Sequence, residues 1–253
     1  MTDVLELGSD VWRAHAPGLG TVLIDPDGSL AVDLDAQAHA AAESVLVENW
    51  GEPLSCLRRG RVLVAGATLR DPLTGDAVLI GGSGKELAAI VVALAQRSWE
   101  TLADYLAPVG LQGSIALAAP RSAGVIVGQK LALRSGFAVT SGPRDETTGV
   151  VIDVPRCRRE IEISSTVLLS DLLREPWSTI ESDLPAGLDR VRFIQSLLPG
   201  INHRILGERT VFAITAALAQ RPMLRFGSAT EGLDADALAE RIVGWRRGEA
   251  GDE

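Results

Sequence analysis

At 253 residues, with 46% apolar and 23% charged side chains, the chain suits one large α/β domain, or a small lobe joined to a larger one, with enough length to bury a sizeable core. Its formal charge of −9 disfavours nucleic acid and anionic membrane as partners. No apolar run approaches the ~18 residues of a bilayer span. Two cysteines, Cys56 and Cys157, and three scattered histidines, His15, His39 and His203, suggest neither a disulfide framework nor a metal site.

Met1–Glu6 carries acids where a signal peptide would carry Lys or Arg, so the cytoplasm is the expected compartment. Val11–His15, Thr21–Ile24 and Leu30–Leu34 read as short strands, separated by Pro17-Gly18 and Asp25-Pro26-Asp27-Gly28 turn chemistry. Ala36 to about Asn49 is Ala-rich and reads as a helix, and Leu54–Arg59 is a short apolar-basic segment. Residues 1–53 are therefore expected to form a β-rich N-terminal lobe with a helix, and residues 54–245 the main domain.

Arg61–Leu69 reads as a buried strand, Asp71–Asp76 as a hairpin-like turn, and Ala77–Ile80 as a second buried strand. Gly81-Gly82-Ser83-Gly84 breaks the chain, and Lys85 to about Arg97 is helical, with Leu87, Ile90, Val91 and Leu94 at three- and four-residue spacing. Thr101–Val109 begins as a strand. The middle of the chain thus reads strand, Gly-rich turn, helix, strand, the local context of a phosphate-binding loop.

From about Ser114 to Leu169 the reading is β-rich, with strands at Ile115–Ala118, Gly124–Val127, Phe137–Thr140, Val150–Val154 and Glu160–Leu168. Asp189–Leu198 and Glu208–Ala219 are expected helices and Met223–Phe226 a short strand. Asp234–Trp245 closes as a helix with an Asp cap, and residues 246–253 read as a mobile tail.

A working phosphate loop has Gly, about four residues, Gly, Lys and then Ser or Thr. Its amides wrap a phosphate, its Lys reaches the terminal phosphates and its hydroxyl holds Mg²⁺. Here the stretch is Gly81-Gly82-Ser83-Gly84-Lys85-Glu86, with two residues between Gly81 and Gly84, and Glu86 in the hydroxyl position. What survives is a Gly-rich turn, a helix N-terminus and one Lys, a combination able to hold an anion modestly.

The flanks carry a resemblance. Val78 to Val109, VLIGG-SGKELAAIVVALAQRSWETLADYLAPV, is similar in order and spacing to the HPr kinase/phosphorylase-related family, as are Leu57-Arg58-Arg59-Gly60-Arg61-Val62-Leu63-Val64-Ala65-Gly66-Ala67 upstream and Leu198-Pro199-Gly200 with Arg221–Phe226 downstream. The resemblance spans roughly Val45 to Trp245. It implies a phosphoenolpyruvate-carboxykinase-like P-loop fold, a mixed α/β sheet with flanking helices. It also places Asp104 on the family's first acid, which serves Mg²⁺. Tyr105 then stands where a second acid is expected, and Ala65 where the family has a His in its catalytic region.

These departures imply a degenerate, pseudo-kinase form that binds a peptide or protein partner in the old cleft, with peptide modification as a context suggested by relatives. An ATP-dependent serine kinase using a shortened loop is the rival, with ATP and Mg²⁺ as its cofactors, Lys85 and Asp104 as its catalytic pair and Glu86 as a further metal ligand. A different chemistry in the same cleft is the third. Homo-oligomers are expected from relatives that assemble. The other clusters read as structural: Arg156-Cys157-Arg158-Arg159 as a solvated strand edge, Arg144-Asp145-Glu146 as a turn, the thiols as buried, and the five Trp residues as fillers.

Overall fold

The computed structural model describes residues 4–40, 42–121, 124–141, 149–169, 187–226 and 234–248, and these form two compact units. Residues 1–63 and 200–211 make the first unit, and residues 64–199 and 212–253 the second. The main chain passes between them at 63/64, within a strand, at 199/200, and at 211/212, within a helical segment. Arg144–Glu146, Trp177 and residues 249–253 lie outside the described residues.

In the first unit the N-terminal turn signals build an antiparallel meander: β1 (Val4–Leu7), β2 (Trp12–Ala16), β3 (Gly20–Ile24) and β4 (Leu30–Leu34), in that spatial order. The β3–β4 turn closes as its composition requires, with the Gly28 N–H donating to the Asp25 carbonyl at 2.9 Å and the Ser29 N–H to Asp27 Oδ1 at 2.8 Å. Helical turns cover the sheet without interruption: α1 (Ala42–Leu46), a π-helical turn (Val47–Gly51) and α2 (Glu52–Arg58). This joins two segments that the sequence reading kept apart. Pro53 sits in the first turn of α2, where a missing N–H breaks no bond. The Arg58 guanidinium stacks over Trp12 at 4.6 Å and donates to the Ser9 carbonyl at 2.7 Å.

The second unit is built on a mixed sheet. Its strands are β5 (Val62–Arg70), β6 (Ala77–Gly81), β7 (Glu100–Ala103), β8 (Leu106–Gln112) and β9 (Ile115–Ala118), then β13 (Ile161–Leu169) and β14 (Met223–Phe226). The order is β14-β13-β6-β5-β8-β9, with β7 also paired to β5 and β9 returning to the start of β13. Strand β6 is buried at every position, as a central strand covered on both faces must be. A second sheet, β10 (Val125–Val127), β12 (Val150–Asp153) and β11 (Ala138–Ser141), packs with α3 (Gly84–Gln96) and α7 (Ala235–Arg247) in one apolar core around Ile90, Val91, Leu94, Ile152 and Ile242. The remaining helices are α4 (Gln129–Ser135), α5 (Leu188–Ser196) and α6 (Ile201–Ala219).

Three local outcomes differ from the sequence reading. Strand β1 was not expected. Helix α4 falls inside the stretch read as β-rich, because its seven residues are too few to show a helical period. Segment α6 starts at Ile201 rather than near Glu208, and Gly207 (φ 74°, ψ 160°) breaks it at the expected start. Helix α7 forms with the expected cap, Asp234 Oδ1 accepting the Ala237 N–H at 2.8 Å. It continues through Arg246 and Arg247, the first two residues of the expected tail.

Strand direction decides what meets at the sheet's edge. Strand β5 is antiparallel to β6 and to β7, and β13 is parallel to β6 and to β14. So β6, β7, β13 and β14 all end on one edge of the second unit, the edge where open α/β sheets place their ligands.

Candidate functional site

The Gly-rich turn leaves the end of β6 at that edge. Gly81 and Gly82 are buried, while Ser83, Gly84, Lys85 and Glu86 are exposed as the first turn of α3 opens to solvent. Ser83 occupies the cap position in extended conformation, without a side-chain cap bond. Gly84 has φ +79°, a left-handed backbone that a side chain resists.

Packing accounts for the two buried glycines. A Cβ at Gly81 would fall 2.3 Å from Leu197 Cδ1 and 3.1 Å from Leu168 Cδ2. A Cβ at Gly82 would lie 3.0 Å from Leu169 Cδ1. Their Cα atoms face leucines, not an open cradle. The Gly82 N–H is also used, donating to the Ala65 carbonyl at 3.2 Å. That amide is therefore not free to bind a phosphate.

Glu86 turns back over the exposed turn: its Oε2 lies 3.4 Å from the point where a Gly84 Cβ would stand. A carboxylate in the first turn of a helix satisfies the positive end of its dipole. A bound anion at this helix end would meet that negative charge. Lys85 forms no ion pair with Glu86, Asp104 or another carboxylate among the described residues, and its ammonium stays exposed.

Asp104 follows β7 at the same edge, and β5 lies between it and the turn, so about two strand spacings (~10 Å) separate the two features. The Gly66 N–H of β5 donates to the Tyr105 carbonyl at 3.1 Å, next to the Gly66–Gly81 pairing of β5 with β6. Ala65 thus lies between the turn and Asp104, with its N–H donating to the Leu197 carbonyl at 2.7 Å. Gly81–Glu86, Ala65 and Asp104 thus lie at the same end of the sheet, with the turn and Asp104 about two strand spacings (~10 Å) apart.

Burial pushes the Asp104 carboxyl up to about 6, against the lowering effects of the Tyr105 and Ile126 backbone N–H groups and the Arg121 charge. Tyr105, the chain's one tyrosine, has φ 66° and is 63% exposed beside it. Sequence reading treated Tyr105 only as a missing acid. The left-handed backbone and the exposure come from the sharp reversal between β7 and β8, which no local composition announced.

At this end of the sheet Asp104 is a half-buried carboxyl raised to about 6 by burial, and Tyr105 beside it supplies no second carboxylate. Among the described residues, no group of three His, Cys, Asp or Glu side chains comes together to hold a metal. Of the other candidates, His203 is exposed on α6, Cys56 and Cys157 are buried, and Arg156 lies 3.9 Å from Asp153. A cleft of about 420 Å³ opens at the opposite end of the sheet, lined by Pro72, Leu73, Trp99, Val243 and Gly244 among others, and takes in none of the residues of the Gly-rich turn.

No helix among the described residues is long and apolar enough to cross a membrane. No protein-family model matches the chain, and no curated protein matches it. Among solved structures, the chain is similar to the Hpr(Ser) kinase/phosphatase from Coxiella burnetii, at 13% identity and a TM-score of 0.40, over 75% of this chain and 99% of that one. This is a distant structural likeness, and the chemistry of the site is read from the residues of this chain.

Proposed function

We propose that this chain is a degenerate relative of the HPr kinase/phosphorylase type, a pseudo-kinase that binds a peptide or protein at the edge formed by the Gly-rich turn, Asp104 and Tyr105. The observation that carries the reading is the packing of Gly81 and Gly82 against Leu168, Leu169 and Leu197, with Glu86 adding a negative charge in the first turn of α3. Phosphoryl transfer rests on positioning and on neutralising charge at the phosphates. Removing one such electrostatic contact typically costs about 3–4 kcal/mol of transition-state stabilisation. Here the loop is short, Glu86 opposes the phosphates, Ala65 and Tyr105 replace two working groups, and Asp104 stands alone. The exposed Tyr105 ring and the exposed Lys85 suit a polypeptide surface, since Tyr supplies contact area at low entropic cost.

Two rivals each have an observation in their favour. A serine kinase with a shortened loop is favoured by the exposed, unpaired Lys85 ammonium. A different chemistry is favoured by Asp104, because a carboxyl at about 6 is poised for proton transfer near neutral pH.

Calorimetric titration with ATP, with and without Mg²⁺, tests the reading on the wild type, Lys85→Ala and Glu86→Thr. The pseudo-kinase reading expects no heat from the wild type up to millimolar nucleotide, and a gain of phosphate affinity in Glu86→Thr. Selection from a random peptide library is expected to yield ligands whose affinity falls in Tyr105→Ala and Lys85→Ala. Metal-dependent ATP binding by the wild type that disappears in Lys85→Ala would overturn the pseudo-kinase reading in favour of the kinase.

A further inference from the structure

The outer strand of the N-terminal meander is built to pair with another strand. Strand β4 bonds to β3 in an unbroken register from Gly20–Leu34 to Ile24–Leu30, and among the described residues no strand lies on its other side. Beyond the two ends of that register, the Asp25 N–H donates to the Ser29 carbonyl at 3.0 Å and the Asp35 N–H to the Leu19 carbonyl at 3.2 Å. Bonded and non-bonded pairs alternate along an antiparallel ladder. Ser29, Ala31, Asp33 and Asp35 therefore bond toward β3, and Leu30, Val32 and Leu34 turn their N–H and C=O groups outward.

The same three residues share the face that packs under the helical turns. Leu30 reaches Gly51, and Val32 pairs with the buried Val22. The cover stops short of this edge: Leu30 is 37% exposed and Leu34 44%. Natural edges are usually blunted by Lys, Pro, a bulge or an inward charge. Strand β4 has no Lys, Pro or bulge, and its one charge, Asp33, lies on the face away from the leucines.

We propose that β4 is a homodimer interface in which a second copy of this chain adds its own β4 antiparallel across a two-fold axis at Val32. The strand complements itself. With Val32 opposite Val32, Leu30 of each copy faces Leu34 of the other, and every outward N–H meets an outward C=O. That is the isologous pattern of a two-fold interface and a form of strand addition. The exposed leucines cover one another, and Asp33 faces Ala31. The two Asp33 carboxylates lie diagonally, about 7–8 Å apart, so their repulsion is screened by salt and association strengthens as ionic strength rises. A strand of other sequence would match the hydrogen bonds but not this pairing of leucines, which makes a second copy the fitting occupant.

Sedimentation equilibrium of the full chain tests the interface. The wild type is expected to move toward twice its monomer mass across the micromolar range, more strongly in high salt. Val32→Pro removes an outward N–H without touching the β3 ladder, and Leu34→Lys sets an ammonium against the partner's leucine. Both variants are expected to remain monomeric, with unchanged circular dichroism. Leu7→Lys on the opposite edge strand, β1, is expected to dimerise like the wild type. A wild type that stays monomeric, a dimer that persists in Val32→Pro, or one lost in Leu7→Lys would overturn the assignment.

Discussion

The Asn202 side chain holds the backbone of Leu63 at both of its polar groups. The Leu63 N–H donates to Asn202 Oδ1 at 2.8 Å, and Asn202 Nδ2 donates to the Leu63 carbonyl at 2.7 Å. Asn202 is fully buried. Its amide does for β5 what a neighbouring strand would do, ahead of the break at Gly207. Asn202→Ala would leave two buried backbone groups without partners, each worth about 1–3 kcal/mol. A loss of about 2–4 kcal/mol in urea unfolding is expected, while His203→Ala, one residue on and exposed, should change little.

Arg246 and Asp71 make a second buried tie, in the second unit. Arg246 Nε lies 3.5 Å from Asp71 Oδ2, with side chains 12% and 3% exposed, and the same guanidinium reaches Ser165 Oγ at 3.2 Å and Thr74 Oγ1 at 3.0 Å. Arg246→Met strands a buried carboxylate, for which a loss of about 3–5 kcal/mol is expected. Adding Asp71→Asn should recover part of that loss, since its oxygen still accepts the Leu73 N–H. Denaturation of the two single variants and the double variant measures the coupling.

Asp104 gives the site a pH signature. Its carboxyl is raised to about 6 in the fold, chiefly by burial. The native state therefore holds a proton that the unfolded chain has already released at the ordinary carboxylate value of about 4. Stability falls as pH rises through that interval, and the full penalty, on the order of 2–3 kcal/mol, is present above the folded value. Asp104→Asn should melt higher than the wild type at pH 8, with the difference closing toward pH 4. Equal melting curves at pH 8 would show that this carboxylate is well solvated.

The glycines of the turn should prove structural. Gly81→Ala places a methyl 2.3 Å from Leu197 Cδ1, and overpacking of this kind costs about 1–3 kcal/mol. The loss is expected with no nucleotide present. It should shrink when Leu197→Ala is added, because the two changes share one space.

Much of the second unit was legible in the chain. Apolar β5 and β6, the Asp71–Asp76 turn and the apolar stripe of α3 are local patterns, and periodicity with turn chemistry fixes them before any long-range contact forms. The Gly-rich turn between β6 and α3 was legible for the same reason, since it is a matter of residue type between Gly81 and Gly84. Helices α4 and the run through Pro53 were not, because short or Pro-containing helical turns are held by packing rather than propensity.

Sequence alone therefore determined the parts list: a strand–turn–helix with Lys85 and Glu86 at its start, and Asp104 after the next strand. Only the tertiary structure decided their meaning. Strand direction set Asp104 and the turn on one edge, about two strand spacings apart. Close packing against Leu168, Leu169 and Leu197 turned Gly81 and Gly82 from a cradle into a fit. Burial raised Asp104. Each of these depends on atoms distant along the chain, so none can be read from neighbours in sequence.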